Sequence, residues 1–542
     1  MTSTSGGEAI VNGLVAHGVD TVFGLPGAQI YGLFDAFHQA QLKVIGARHE
    51  QACGYMAFGY ARSSGRPGVF SVVPGPGVLN ASAALLTAFG CNEPVLCLTG
   101  QVPTQFLGKG RGHLHEMPDQ LATLRTFVKW AERIEYPDNA PAMVSRAFQE
   151  MLSGRRGPAS LEMPWDVFTQ RAQVASVKPF DRLPAPQPDP DRIKAAADLI
   201  AGSKTPMIFV GSGAIDAREQ ILELAEMIDA PVVAFRSGRG IVSNAHELGL
   251  TMAAAYKLWP ETDLMIGIGT RLELPTMSRW PYQPAGLKSV RIDIDPVEMR
   301  RVPADVAVVA DAKAGTSDLV AAVRKAGYGK TSGRRATIRE ATAAAEHDIQ
   351  RIQPQMAYLK ILREVLPANA IVTDELSQVG FASWYGFPVY EPRTFVTSGY
   401  QGTLGSGFPT ALGAKVANPN KPVVAITGDG GFMFGVQELA TAVQFRIGVV
   451  TLVFNNNAYG NVRRDQQERF DGRVVASDLV NPDFVKLAES FGAGAARVTS
   501  PDHFRSVLEK ALADGGPYVI SVEVPTGSEI SPWAFIHPAR NN

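Results

Sequence analysis

The chain has 542 residues, 45% of them hydrophobic and 19% charged, with a formal net charge of -1. That length exceeds what one hydrophobic core supports, so several folded domains are expected, and the composition excludes a disordered chain. No basic surplus is left to neutralise a nucleic-acid backbone, and no apolar run approaches the roughly 18–20 residues of a membrane helix, so neither is an expected partner. The opening residues, Met1-Thr2-Ser3-Thr4-Ser5, lack a charged and apolar leader, and a cytoplasmic location is expected.

Along the chain, short runs rich in Val and Ile alternate with helical stretches and Gly-rich breaks. Strands are predicted at 68–73, 95–99, 207–210, 264–268, 289–294, 423–427 and 449–454. Strand, loop, helix, strand in this order gives an α/β class of parallel, doubly wound sheets with helices on both faces. A Pro-rich segment at 176–192 and a polar one at 327–355, which leads into a charged helix, read as linkers. Three domains follow, 1–175, 188–330 and 355–542, each of ordinary size.

The first unit carries His49-Glu50-Gln51-Ala52 and, after a strand, Val73-Pro74-Gly75-Pro76-Gly77 with Asn80 close behind. Glycines between a strand and a helix put backbone N–H groups at a helix N-terminus, where anions bind. Cys53, Cys91 and Cys97 have no partner at metal or catalytic spacing and read as buried, inert thiols. Residues 110–120, GRGHLHEMPDQ, bring His113, His115 and Glu116 together; a neutral imidazole there could move a proton near pH 7. In the middle unit Gly211-Ser212-Gly213 follows a strand, but position 216 is Asp where a dinucleotide fingerprint wants a third glycine. Arg236, Arg239, Arg271 and Arg291 are the cations there that could meet phosphates.

The most informative stretch is 423–460. One strand ends in Gly428-Asp429-Gly430-Gly431, a helix at 436–445 follows, and the next strand ends in Asn455-Asn456-Asn457. A right-handed crossover makes the two strands parallel, so both ends meet at one sheet edge. A carboxylate, an amide oxygen and a backbone carbonyl are the hard ligands that magnesium prefers alongside phosphate oxygens.

This stretch resembles the thiamine-diphosphate-binding motif, and the first unit resembles acetolactate-synthase-like enzymes through residues 22–27, 49–52, 59–62, 74–77 and 100–103. The likeness covers the whole chain, with 487–492 also in family style. It implies thiamine diphosphate and magnesium as cofactors, with Asp429 and Asn456 ligating by side chain, Ala458 by its carbonyl, and Asn455 as the alternative if the register slips by one. It makes Glu50 the carboxyl that activates the aminopyrimidine, so that the thiazolium carbon can lose its proton and the cofactor can act as electron sink. Leu404, in the segment 398–411, takes the place of the bulky residue beneath the bent cofactor, and Gly402 offers its carbonyl. Pro26, Gly27, Pro74, Asn80, Gly428, Gly430, Gly431, Tyr459 and Gly460 complete the cofactor surroundings. In the family the glutamate unit of one subunit faces the metal unit of another, which implies a homodimer or homotetramer. Relatives use the central domain for FAD, an ADP group or nothing, so all three stay open here.

For the reaction, residues 110–120 keep Glu116 and Pro118 but carry His115 where acetolactate synthases have Gln. Residues 461–464 lack the Trp of that enzyme's second-substrate pocket, and Asn457 resembles the CoA-using branch. The leading expectation is therefore a carbon–carbon lyase cleaving a 2-hydroxyacyl-CoA to a carbonyl compound and formyl-CoA, with His115, Glu116 and His113 serving proton transfer beside Glu50. The alternatives are an acetolactate-synthase-like carboligase or decarboxylase acting on 2-keto acids such as pyruvate, and a non-catalytic paralogue.

Overall fold

The computed structural model describes residues 2–539. Three six-stranded sheets, parallel throughout, draw their strands from residues 21–164, 206–309 and 371–523. The seven expected strands are all present, most shifted by a residue or two, for example Gly68–Val72, Val423–Gly428 and Val450–Asn455. All but Lys288–Asp293, which is buried only at its centre, are buried along nearly their whole length, which is why their sequences read as continuous apolar runs rather than alternating ones.

Counted in chain order within each sheet, the strands of the first and last sheets lie in the order 2-1-3-4-6-5, and those of the middle sheet in the order 3-2-1-4-5-6. In such sheets a crevice opens at the carboxyl ends of the two neighbouring strands whose connections leave in opposite directions. That point lies between Thr21–Gly24 and Gly68–Val72 in the first sheet. It lies between Pro206–Val210 and Leu264–Ile268 in the middle sheet, and between Ile371–Thr373 and Val423–Gly428 in the last. The two glycine turns singled out from the sequence, after Val72 and after Thr427, therefore occupy equivalent places in two sheets of the same topology.

The outer domains of one chain share a core. Helix Glu50–Ser64 crosses helix Gly407–Ala417 so closely that a Cβ on Gly59 would lie 2.0 Å from the Thr410 carbonyl oxygen, and one on Gly413 would lie 1.9 Å from that of Met56. Phe58, Phe70, Phe408 and Leu412 belong to one apolar cluster across this contact. The turn before Glu50 is tied down as well, because the Glu438 carboxylate accepts from the Arg48 N–H at 3.0 and 3.1 Å.

The segment 327–355 is more than a tether. It contains helix Arg334–Ile349, whose Ile338, Ala345 and Ile349 bury themselves in the core of the middle domain. Residues 175–189 do run without regular structure, and Asp189 then caps helix Pro190–Gly202. All three cysteines are buried, and burial pushes the Cys91 and Cys97 thiols up to about 12, too high to react as thiolates. No described helix is long and apolar enough to cross a membrane.

Replacing Gly413 by Ala forces a methyl into the Met56 backbone, an overpacking that typically costs about 1–3 kcal/mol. Gly413→Ala should lower the thermal unfolding midpoint by several degrees in calorimetry, whereas Gly202→Ala, with open space around its Cβ position, should not.

Candidate active site

At the crevice of the last sheet, an open cleft of about 700 Å³ is lined by residues of the C-terminal domain alone. Its floor is the turn Gly428–Gly431, which carries Asp429. Its sides are Asn456, Ala458, Tyr459 and Gly460 from the next strand end, Leu404 from the 398–411 segment, and Glu375 to Gln378 after the first strand. Asp429 is 2% exposed, and burial raises its carboxyl above the usual range even though it accepts from Asn481 at 2.7 Å and the Ala458 N–H at 3.3 Å. A buried carboxylate short of positive charge is the environment that a divalent cation would relieve. The glycines let the cleft walls close on one another: a Cβ on Gly430 would meet the Tyr459 ring at 2.4 Å, and one on Gly460 would lie 2.8 Å from the Asn456 amide nitrogen.

The three asparagines have separate tasks. Asn455 closes the strand, donating to Glu523 at 2.9 Å and accepting from Asn481 at 2.9 Å, and it does not line the cleft. Asn456 lines it, held by donation to Glu529. Asn457 takes a left-handed φ of 54°, a conformation that Asn tolerates better than most residues, and its carbonyl accepts from the Leu479 N–H at 2.8 Å. The third Asn thus has a backbone reason, independent of any CoA chemistry. Glu529, from the C-terminal segment, is pushed up to about 7 by burial and by the Asp429 charge.

The corresponding crevice of the first sheet gathers the other set. Pro26 and Gly27 follow its first strand, and Pro74 and Gly75 follow its third; a Cβ on Gly27 would touch Val73 at 2.6 Å. Gly75 needs its φ of 62° and its missing side chain, because a Cβ would lie 2.6 Å from the His115 carbonyl oxygen. Glu50 begins helix Glu50–Ser64 and accepts from Asn80 at 3.0 Å. His115 lies within electrostatic reach of it. The Gln29 amide nitrogen donates to the Leu114 carbonyl at 2.6 Å, which turns its oxygen toward His115 Nδ1 at 2.9 Å. Nδ1 therefore carries the ring proton, and Nε2 is left as the basic nitrogen. Gln29 and His115 both sit at positive φ, 73° and 63°, where each non-Gly residue stores of order 1–3 kcal/mol of strain.

Glu116 and His113 do different work. The Glu116 carboxylate accepts from the N–H groups of Gly110 at 3.1 Å and His113 at 2.9 Å, closing its own loop. The His113 ring leans on Phe106, with centroids 4.9 Å apart. Within one chain, then, Glu50, Asn80 and His115 form one group, and Asp429, Asn456, Ala458 and Leu404 form another. The first group has no residue in the cleft of the second.

At the middle crevice a third cavity, about 1270 Å³ including its mouth, lies where all three domains meet. Gly211, Ser212, Gly213 and Gly269 form one wall, and the Gly211 and Gly269 turns are in contact. Arg236 and Arg271 line it, Arg236 paired with Glu273 at 3.0 Å and Arg271 stacked on Tyr400 at 4.7 Å. The other two expected cations are excluded by their bonding. Arg239 donates to the carbonyls of Ser383 and Phe387, and Arg291 to those of Thr270, Glu298 and Val302, so both are structural. Arg155 and Arg156 line the cavity instead.

Residues 4–123, 193–319 and 376–522 match the families described as the N-terminal TPP binding, central, and C-terminal TPP binding domains of thiamine pyrophosphate enzymes. A probable acetolactate synthase large subunit of Methanocaldococcus jannaschii is 36% identical over 546 residues, covering 96% of this chain and 92% of the relative. The chain belongs to the acetolactate synthase superfamily of thiamine-diphosphate enzymes. The acetolactate synthase large subunit of Haemophilus influenzae is 31% identical, over 100% of this chain and 98% of its own. A probable 2-ketoarginine decarboxylase of Pseudomonas aeruginosa is 31% identical, over 95% and 93%.

In this thiamine-diphosphate enzyme, sequence reasoning passed over Gln29, Glu375, Asn481 and Glu529. A signal existed for Glu375: it follows the first strand of the last sheet, and so stands across the crevice from Asp429. For Gln29, Asn481 and Glu529 no local motif marks the residue; long-range packing alone brings Asn481 to Asp429 and Glu529 to Asn456.

Burial lowers the His115 pKa from its ordinary 6.5, while the Glu50 charge raises it. Removing that charge therefore lowers it further. Histidine hydrogen–deuterium exchange should show His115 titrating below 6.5 in the wild type and lower still in Glu50→Gln; an upward shift would contradict the placement of the two groups.

Proposed function

We propose that the enzyme decarboxylates a 2-keto acid and passes the resulting acyl unit to a proton or a second carbonyl compound, as an acetolactate-synthase-like decarboxylase or carboligase. The observation that carries this reading is the oxygen-lined cleft of Asp429, Asn456 and Ala458 at a topological switch point. The relatives named above are synthases and a decarboxylase, and they favour this reading over cleavage of a 2-hydroxyacyl-CoA.

Asp429, Asn456 and Ala458 would hold magnesium, and the Gly428–Gly431 turn with Tyr459 and Gly460 would hold the diphosphate. Leu404 and Gly402 would support the bent cofactor. Thiamine diphosphate supplies a nucleophilic carbon that adds to a carbonyl and then stores the electrons released when the neighbouring bond breaks. Glu50, oriented by Asn80, would hold the aminopyrimidine end, together with Pro26, Gly27 and Pro74. His115 keeps Nε2 unprotonated at neutral pH and can take or return a proton there. Glu116 and His113 shape the loop that carries it.

Because the two groups of residues do not meet within one chain, each site is assembled from two chains. Leu79 and Phe89 on the helix after Gly75, and Met433 and Phe434 after the diphosphate turn, are exposed apolar side chains beside the two half-sites, and a second copy would cover them.

Wild-type protein given thiamine diphosphate and magnesium should release CO₂ from pyruvate or a longer 2-keto acid. Formyl-CoA from a 2-hydroxyacyl-CoA, with no turnover of 2-keto acids, would overturn the reading. Glu50→Gln should lower kcat by about 10²–10⁴, the range of general acid–base contributions. Mixing and reassembling Glu50→Gln with Asp429→Ala should restore activity, since mixed dimers regain one intact site; no recovery would exclude a shared site.

The middle cavity suits a nucleoside diphosphate group, with the Gly211–Gly213 turn and Arg271 toward the phosphates. The strand order of that sheet supports this, and so does Asp293 at a strand end, whose carboxyl burial raises. Mass spectrometry of ligand released from the denatured protein should give FAD or ADP; a protein purified without nucleotide that also fails to bind either would refute it.

A further inference from the structure

Glu375 has no part in the roles assigned above, yet it is the least expected side chain in the cleft. It stands two residues beyond strand Ile371–Thr373, it is 2% exposed, and it lines the cleft with Leu404 and Asp429. Its Oε1 accepts from the N–H of Gly405, the residue after Leu404. Its Oε2 is buried without any hydrogen-bond partner. That oxygen faces the diphosphate turn: a Cβ on Gly431 would lie 2.2 Å from Oε2 and 2.4 Å from the carboxyl carbon. Its neighbour Asp374 turns elsewhere, accepting from the Trp384 indole N–H.

A buried polar atom without a partner costs of order 1–3 kcal/mol, so its presence at a binding cleft calls for a reason. Burial, reinforced by Asp374 and opposed by the nearby N–H groups of Gly405, Gly428 and Ser406, pushes the carboxyl up to about 8, which leaves it mostly neutral at pH 7. A neutral carboxyl beside a bound diphosphate avoids like-charge repulsion and keeps both an acceptor and a donor. Geometry gives the residue its place, since its carboxyl reaches both the segment presenting Leu404 and the turn presenting Asp429.

We propose that Glu375 is a positioning residue for the coenzyme, joining the Leu404 segment to the Gly428–Gly431 turn so that thiazolium support and diphosphate site are held as one unit. This rests on the thiamine-diphosphate reading of the cleft. The shape of Glu375 and its acceptor matter here, and the negative charge does not. Glu375→Gln keeps both contacts, and Glu375→Ala removes both.

The test is titration of the full-length protein with thiamine diphosphate and magnesium, by calorimetry and by the circular-dichroism band of the bound aminopyrimidine. Glu375→Ala should weaken binding about tenfold or more, the equivalent of one buried hydrogen bond, and should alter the band. Glu375→Gln should restore affinity to within about threefold. Gly431→Ala should mimic the loss by driving its methyl into Oε2, yet cost less than about threefold once Glu375 is already Ala, because the two sites are coupled. Wild-type affinity in Glu375→Ala, a Gln variant as weak as the Ala variant, or additive losses at 375 and 431 would each overturn the proposal. If Glu375→Ala does not fold, Gly431→Ala decides alone, and undiminished binding overturns it. Wild-type protein that binds no thiamine diphosphate would overturn both this and the reading beneath it.

Discussion

Parallel strands deliver their carboxyl ends to one edge of a sheet, and where two neighbours send their connections to opposite faces, nothing covers the edge between them. This enzyme uses that constraint three times. In the last sheet the crevice takes a carboxylate, amide oxygens and a glycine turn; in the first it takes a glutamate, a histidine and a second glycine turn. In the middle sheet it takes paired glycines and arginines. The chemistry of each crevice is set by a few residues following two strands, while the sheets beneath are interchangeable layers of Val, Ile, Leu and Ala.

Burial of carboxyl groups is the common electrostatic theme. Asp429, Glu375 and Glu529 all lie at one cleft, and desolvation raises each of them. Three acids cannot ionise together in so small a volume without compensation. A divalent cation beside Asp429, as proposed above, would supply part of it, and carboxyls that keep their protons would supply the rest. The first sheet solves the matching problem with neutral groups: Gln29 fixes the tautomer of His115, and Asn80 steadies Glu50.

The contact between the outer domains explains why one chain holds two half-sites apart. Gly59 and Gly413 let two helices cross at backbone distance, and Glu438 pins the turn before Glu50. Glu50 is thereby fixed on a rigid element outside the cleft of its own Asp429. In the proposed pairing, a second copy would bring a glutamate to each cleft and would cover the apolar side chains around both groups.

The sequence by itself determined the α/β class, the three parallel sheets, the inert cysteines and the placement of Asp429, Asn456 and Leu404 around one cleft. Apart from Leu404, which the family resemblance supplied, these follow from local causes: unbroken apolar runs make buried parallel strands, and glycines after a strand make a turn open to a ligand. It also marked the segment containing His113, His115 and Glu116, but it could not divide the labour among them. Only the tertiary structure showed that Glu116 closes a loop, that Arg239 and Arg291 are spent on backbone carbonyls, and that Gln29 orients His115 from 86 residues away. It alone showed that helix Arg334–Ile349 packs into the core, and brought Asn481 and Glu529 to the Asp429 turn. Partners so distant in the chain leave no periodicity or spacing to read, because which of several similar polar side chains meets a given atom is decided by how sheets and helices pack, not by the residues beside it.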